Sequence, residues 1–426
     1  MNSTSPKSTR ILIVGAGAFG TSTAYHLAQR GYTSITVLDR YPPPACEAAS
    51  TDISKIIRSD YNEPLYVRLG LESIEAWSSW DLFKGLYKVP GWILSAKKLS
   101  VPFVHGSIET CTRLRVKGLE VLTPEGIRER FPVIMGQLDG WNINVWNPTA
   151  GWAKAGEALE RMAQAAMGKG VRYISGDAGY VRRLVFRDGE CTGAAMADGG
   201  AYEADLVVLA TGAWTPSLID LQGQLTAKGH SVAHIQLTPS ETKHYSQLPI
   251  LDNLELGYFF PPQEDGTFKL AHSQFITNTR TDAGSGITTS IPHTFVQSPG
   301  DTLPAEIERT MRANLRRVLP ELADRPFSYT RLCWDADTAD RHFLITPHPD
   351  HKRLFLATGG SAHGFKFLPV VGQYVADLLE GRLDEGIRKA WRWRAGMVQT
   401  ATDLAHLDPE MELSDLTGWK GPASKL

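Results

Sequence analysis

The chain has little cysteine: Cys46, Cys111, Cys191 and Cys333 are the only four, and none share a C-x-x-C spacing. That excludes a disulfide framework, offers no zinc pattern and fits a reducing compartment. The histidines lack metal-ligand spacing too, so no metal is expected. Long hydrophobic runs are missing, and no stretch suffices to span a bilayer. Nor is there an excess of charge of one sign: 44 Lys and Arg stand against 46 Asp and Glu, a net −2. Nucleic acid and membrane surfaces are therefore not expected partners. Internal repeats and low-complexity segments are absent. The first ten residues are polar and the apolar run ILIV at 11–14 breaks at once into glycines, so no signal peptide is expected.

What is present is a soluble-enzyme composition, 42% hydrophobic and 21% charged over 426 residues, long enough for two domains and a large buried ligand. The run RILIV at 10–14 reads as a strand, GAGAFG at 15–20 follows it directly, and a helical pattern continues through Tyr25, Leu27 and Ala28. A second strand at 34–38 ends on Asp39, completing a strand, glycine turn, helix, strand and acid. In such a unit Gly15 permits the tight turn, Gly17 lets a pyrophosphate approach the backbone, and Gly20 lets helix and strand pack closely. The helix N-terminus offers unpaired N–H groups to phosphate, and Asp39 can accept from ribose hydroxyls. The motif alone leaves NAD and FAD open.

Two more apolar strands end in small-residue turns, at 206–212 and 354–360. The second precedes an amphipathic helix expected from about Leu368 to about Leu379, with Pro369 in its first turn and Gly381 past its end. Residues 256–260 and 268–271, separated by Asp265 and Gly266, read as a hairpin. Segments 8–90, 150–220 and 328–400 are expected to assemble one discontinuous nucleotide-binding domain, and 91–149 with 221–327 a substrate domain. Residues 401–426 are expected to be a loosely attached tail. They end in Ser424, Lys425 and Leu426, the tripeptide a peroxisomal import receptor reads; that receptor is an expected partner and the peroxisome the expected location.

Further motifs are SKIIR at 54–58, LATGAW at 209–214, the strand bearing Lys269, LCWDAD at 332–337, GFKF at 364–367 and WRWR at 391–394. With the glycine turn they resemble the monomeric sarcosine oxidase family of FAD-dependent amine oxidases over nearly the whole chain. Within it, fungal fructosyl amino acid oxidases (amadoriases) and oxidases of the saccharopine and pipecolate type are the nearest in pattern. The resemblance implies an α/β fold: a Rossmann-like FAD-binding domain of glutathione-reductase type, interleaved with a substrate domain on a mixed, largely antiparallel sheet. It implies FAD as cofactor, held by Gly15, Gly17, Ala18, Phe19, Gly20, Asp39, Arg40, Ser54, Lys55, Gly364, Phe365 and Lys366.

Cys333, which alone would read as a small buried hydrophobe, matches the family cysteine that forms a thioether to the flavin. Lys269, otherwise an edge-strand lysine, matches the lysine that promotes reaction with O2, because a fixed cation stabilises the anion formed. Arg58 and Lys366 match the cations that clamp a substrate carboxylate, and Arg394 matches the amadoriase residue used for the same purpose. His363 either orients the substrate or the reduced flavin, or is a satisfied core histidine. The helix after Leu368 is expected to aim its positive end at the flavin pyrimidine.

The activity implied is oxidation of the C–N bond of an N-substituted amino acid to an imine, with O2 reduced to hydrogen peroxide. Amadoriases carry an acid shortly after the flavin-facing lysine and usually lack the arginine at 58; here residues 270–275 hold no carboxylate. The alternatives are a deglycating fructosyl amino acid oxidase, a tailoring oxidase whose iminium cyclises in a pocket lined by Tyr258, Phe259 and Phe260, and a flavin dehydrogenase that uses a protein acceptor.

Overall fold

A computed structural model describes residues 6–281, 287–296, 302–397 and 410–419. The first sheet has six strands in the order Leu344–Pro347, Leu354–Thr358, Leu206–Leu209, Ile11–Val14, Ile35–Leu38 and Arg172–Ile174. Its pairs are parallel except the first, where Leu344–Pro347 runs against Leu354–Thr358. Ile11–Val14 is buried at every position because it is central and covered on both faces, which is why it reads as an unbroken apolar run. The helix Ala18–Gln29 follows the glycine turn and packs against Val371–Leu379 and Ala155–Met167.

The second sheet is mixed and largely antiparallel. Its long strand Leu225–Gln236 pairs with Thr267–Ala271 on one side and with Tyr329–Thr338 on the other. From Thr267–Ala271 it continues through Gly257–Phe259, Ile250–Asn253, Trp92–Ala96, Ile143–Asn147 and Glu120–Leu122. The 256–271 hairpin forms as the sequence implies, with Tyr258 opposite Ala271 and Phe259 opposite Leu270. Tyr329–Thr338, which carries Cys333, belongs to this sheet, although it follows the substrate segments in the chain.

Two expectations need correction. Part of the C-terminal tail is docked: Met411–Glu412 pairs with Ile276–Thr277, and Leu413 and Leu416 are buried in the second sheet's core. Burying two leucines outweighs the polar composition around them. The helix expected from Leu368 begins at Val371, after a 3-10 turn Phe365–Phe367. Ser22 bridges the gap, its hydroxyl donating to the Leu368 carbonyl and accepting from the Gly372 N–H. This helix start is therefore spent on Ser22, and the cavity described below is lined by residues 362–366, not by the first turn of the helix. Among the described residues no helix is long and apolar enough to cross a membrane.

Candidate active site

Between the two sheets lies a cavity of about 580 Å³, running from the glycine turn to Lys366. Its first end is built by Gly15, Gly17, Ala18, Phe19, Asp39 and Arg40. Gly15 has φ +106° and lies so close to strand Leu206–Leu209 that an added Cβ would meet the Ala210 oxygen at 2.4 Å. Gly20 does not line the cavity; its missing Cβ lets the helix sit on the Gly15 carbonyl, 1.9 Å from where that carbon would be. At Gly17 the nearest neighbour of an added Cβ is the Ser50 hydroxyl at 3.5 Å, so that face is open to a ligand. Asp39 accepts from the Ala16 and Tyr41 N–H groups at 2.7 and 3.0 Å, which fixes its carboxylate at the cavity wall. The Glu47 Oε1 and Ser50 Oγ atoms, in residues lining the same end, are buried with no hydrogen-bond partner among the described residues. A dinucleotide with ribose hydroxyls and phosphates supplies what such groups need, so the chain fits FAD at this end.

The other end is strongly charged. Lys269 is buried in the middle of Thr267–Ala271, donating to Asp52 at 2.6 Å and to the Ser54 carbonyl at 2.7 Å. Ser54 thus contributes through its backbone and does not itself line the cavity. Asp52 also meets Lys55 at 3.2 Å and Arg331 at 3.8 Å. Burial would raise the Asp52 carboxyl, but Lys269, Lys55 and Arg331 outweigh it and hold the group far below the usual carboxylate range. Burial pushes Lys269 down to about 8 in spite of Asp52. The Cys333 sulfur faces Lys55 and Arg331, each at 3.7 Å, and shares the cavity wall with Lys55 and Lys269.

Arg58 stacks over Tyr61 and Trp92, at 4.2 and 4.8 Å, and donates to the Asp60 carbonyl. Lys366 is buried, donates to the His363 carbonyl at 2.9 Å, and is driven well below the usual lysine range by burial and then by Arg58. The turn carrying Lys366 is held by left-handed backbone at Ser361 and Ala362 (φ 46° and 59°) and by the Ser361 N–H bonded to Ala336. Arg58, Lys269, Lys366 and Cys333 therefore line one cavity, as do Lys55, Gly364 and Phe365.

Two of the sequence candidates, Arg394 and His363, are engaged by other protein groups. Arg394 does not line the cavity: it pairs with Asp340 at 2.7 Å and donates to the carbonyls of His342, Phe343 and Arg392. Its donors brace the segment around 340–343. His363 lines the cavity but both ring nitrogens are engaged: Nε2 donates to the Arg341 carbonyl at 2.8 Å, leaving Nδ1 to accept from the Tyr61 hydroxyl at 3.2 Å. Burial keeps this ring neutral. It positions Tyr61, which in turn lies under Arg58.

Sequence reading missed Asp52, His230, Asp252 and Asp335. Asp52 and Asp335 stand beside or inside motifs already singled out, and only their charge in a buried setting marks them. His230 lies directly across from Cys333 in the strand pair and lines the cavity; burial pushes it down to about 3. Asp252 is a carboxylate inside the strand Ile250–Asn253, buried at every position, and burial raises it to about 7 against the pull of Arg58 and Lys366. Asp335, pushed up to about 6 by burial, lines the cavity near Cys333.

The sequence profile of the FAD dependent oxidoreductase family matches residues 10–378. The L-saccharopine oxidase of Schizosaccharomyces pombe is 33% identical, the match covering 90% of this chain and 93% of that protein. A monomeric sarcosine oxidase of Streptomyces avermitilis is 26% identical over 86% and 92% of the two chains. The crystal structure of the deglycating fructosamine oxidase amadoriase II from Aspergillus fumigatus superposes with a TM-score of 0.89 at 35% identity, covering 97% of each chain. With a dinucleotide turn, a charged inner cavity and these likenesses over almost its full length, the chain belongs to the FAD-dependent oxidoreductase family, close to the saccharopine, sarcosine and fructosyl amino acid oxidases.

Proposed function

We propose that the chain oxidises the C–N bond of an N-substituted amino acid, giving an imine and hydrogen peroxide. The observation that carries this reading is the gathering of Arg58, Lys366, Lys269 and Cys333 on one wall system, continuous with the glycine turn. Bound FAD supplies the two-electron acceptor for a hydride from the carbon beside nitrogen. The chain's own residues do the rest. Arg58 and Lys366 hold the substrate carboxylate, each with N–H groups beyond those spent on backbone carbonyls. Lys269, fixed by Asp52 and the Ser54 carbonyl, places a cation where O2 acquires negative charge. Cys333, flanked by Lys55 and Arg331, is the attachment point for a covalent flavin.

A peroxide assay across sarcosine, saccharopine, pipecolate and fructosyl-glycine tests the substrate class. The N-alkyl and N-carboxyalkyl amino acids should be the faster substrates, since residues 270–275 offer no carboxylate to a sugar and Arg58 is present to hold the amino-acid carboxylate. Faster oxidation of fructosyl-glycine would establish a deglycating enzyme instead. Acid-precipitated protein should stay yellow, and Cys333→Ala should release its flavin. Peroxide formation in the peroxisome is proposed from Ser424, Lys425 and Leu426, which lie outside the described residues. A fluorescent fusion that co-localises with a peroxisomal marker only when these residues are present at its C-terminus supports that location.

A further inference from the structure

Asp252 has no part in the clamp or the oxygen reaction as described, yet it is built into the cavity. It sits at the centre of Ile250–Asn253, paired with Leu94 on one side and Tyr258 on the other. Its residue is only 8% exposed, it lines the cavity, and its carboxylate accepts no hydrogen bond from the described residues. The charged and titratable groups that face it are Arg58 from the segment after Lys55–Ile57, Lys366 from the turn Phe365–Phe367, and Tyr258 across the strand pair. Neither Arg58 nor Lys366 is hydrogen-bonded to it; both donate elsewhere. A buried carboxylate beside the Arg58 guanidinium and the Lys366 amine, bonded to neither and open to the cavity, is a site for a cationic ligand group.

The arrangement of two N–H donors opposite one carboxylate matches a zwitterion: a carboxylate for Arg58 and Lys366, an ammonium for Asp252. We propose that Asp252 binds the substrate's ammonium nitrogen and accepts the proton that this nitrogen must lose before oxidation. The inference rests on the amine-oxidase reading above. The N–H bond breaks, its electron pair stays on nitrogen as the lone pair, and the proton forms an O–H bond at an Asp252 carboxyl oxygen. The freed lone pair is what lets a hydride leave the adjacent carbon, because it becomes the C=N bond of the protonated imine, which gives the neutral imine by losing its remaining N–H proton to water. The proton then passes to solvent, restoring the carboxylate.

The consequence is a pH dependence. A secondary ammonium stays protonated to pH values of about 10, so the cation is the form that binds throughout the neutral range. Burial places Asp252 at about 7, where it is half ionised, and only the ionised form can take the proton. The kcat/KM for the best substrate of the screen should therefore fall about tenfold per pH unit below about pH 7. Lys269 at about 8 and Asp335 at about 6 also titrate near this range, so the variant decides the assignment.

The experiment is the kcat/KM pH profile of wild type, Asp252→Asn and Asp252→Glu, each with its flavin spectrum recorded to confirm a loaded fold. Alongside, calorimetry compares binding of 2-aminoisobutyrate, which has no hydrogen on its α-carbon, with pivalate, its isostere lacking the ammonium. Expected are loss of the limb near pH 7 and at least a tenfold fall in kcat/KM at pH 8 for Asp252→Asn, with partial rescue by Asp252→Glu. Wild type at pH 8 should prefer 2-aminoisobutyrate to pivalate, and the Asn variant should not. An unchanged limb, or an unchanged ligand preference, overturns the role of Asp252 and leaves the oxidase reading standing. If wild type oxidises no N-substituted amino acid at any pH, the oxidase reading fails and this inference falls with it.

Discussion

Asp52 holds one negative charge among Lys269, Lys55 and Arg331, all in the protein interior. Removing it leaves buried cations without their counter-charge, and Asp52→Asn should cost about 3–5 kcal/mol in denaturant unfolding. The folded carboxyl titrates below its unfolded value, so its contribution is complete above about pH 4 and is lost as pH falls below that. The stability gap between wild type and variant should accordingly shrink in acid. Lys269→Met should slow reoxidation by O2 about 10²-fold while leaving anaerobic reduction by substrate nearly intact, a split that stopped-flow absorbance resolves. Because Lys269 titrates at about 8, wild-type reoxidation should lose rate as pH rises through that value, and the Met variant should show no such limb. These residues differ in how far the sequence revealed them. Lys269 stood out through its family pattern, whereas Asp252 sits in a short apolar run with no motif, and its partners Arg58 and Lys366 come from distant segments. Arg394 shows the opposite: the WRWR run stands out in the sequence, but Asp340 and three carbonyls hold the side chain, and only the folded chain shows them.

At the scale of elements, the glycines of the first turn separate two jobs that a motif merges. An alanine at 20 would drive its Cβ into the Gly15 carbonyl, and an alanine at 372 would meet the Ser22 carbonyl at 2.1 Å. Both push apart backbones that are packed in contact, and each substitution should destabilise the fold by about 1–3 kcal/mol. Gly17→Ala meets nothing closer than Ser50 Oγ at 3.5 Å, so the melting temperature of flavin-free protein should barely change. Affinity for FAD should instead drop about tenfold, measured in a Cys333→Ala background where the flavin exchanges. The first strand, glycine turn and helix were legible because each is a local pattern. The late start of Val371–Leu379 was not, since Ser22, from a helix near the other end of the chain, supplies the bonds that shape its approach.

Across the whole molecule, the cavity is walled by both sheets, and neither sheet encloses it alone. Ligand binding should stabilise both together: adding FAD at a hundredfold excess over Kd to the Cys333→Ala protein should contribute about 2.7 kcal/mol. A single calorimetric transition is expected to move upward; two transitions, only one of which responds, would show that the sheets unfold independently. Segment order was readable from the three glycine-ended strands, but the place of Tyr329–Thr338 was not, because a strand's partner depends on register across some hundred residues. That strand has a mechanical consequence. The glycine turn belongs to the first sheet, whereas the Cys333 sulfur, the proposed attachment point for the flavin, rides on the second. A flavin bonded to Cys333 would act as a rivet through both, so the two halves could not hinge apart to let product out. After proteolytic nicking between the halves and separation in denaturant, the yellow colour would travel with the C-terminal fragment, leaving colourless the piece that bears the dinucleotide fingerprint.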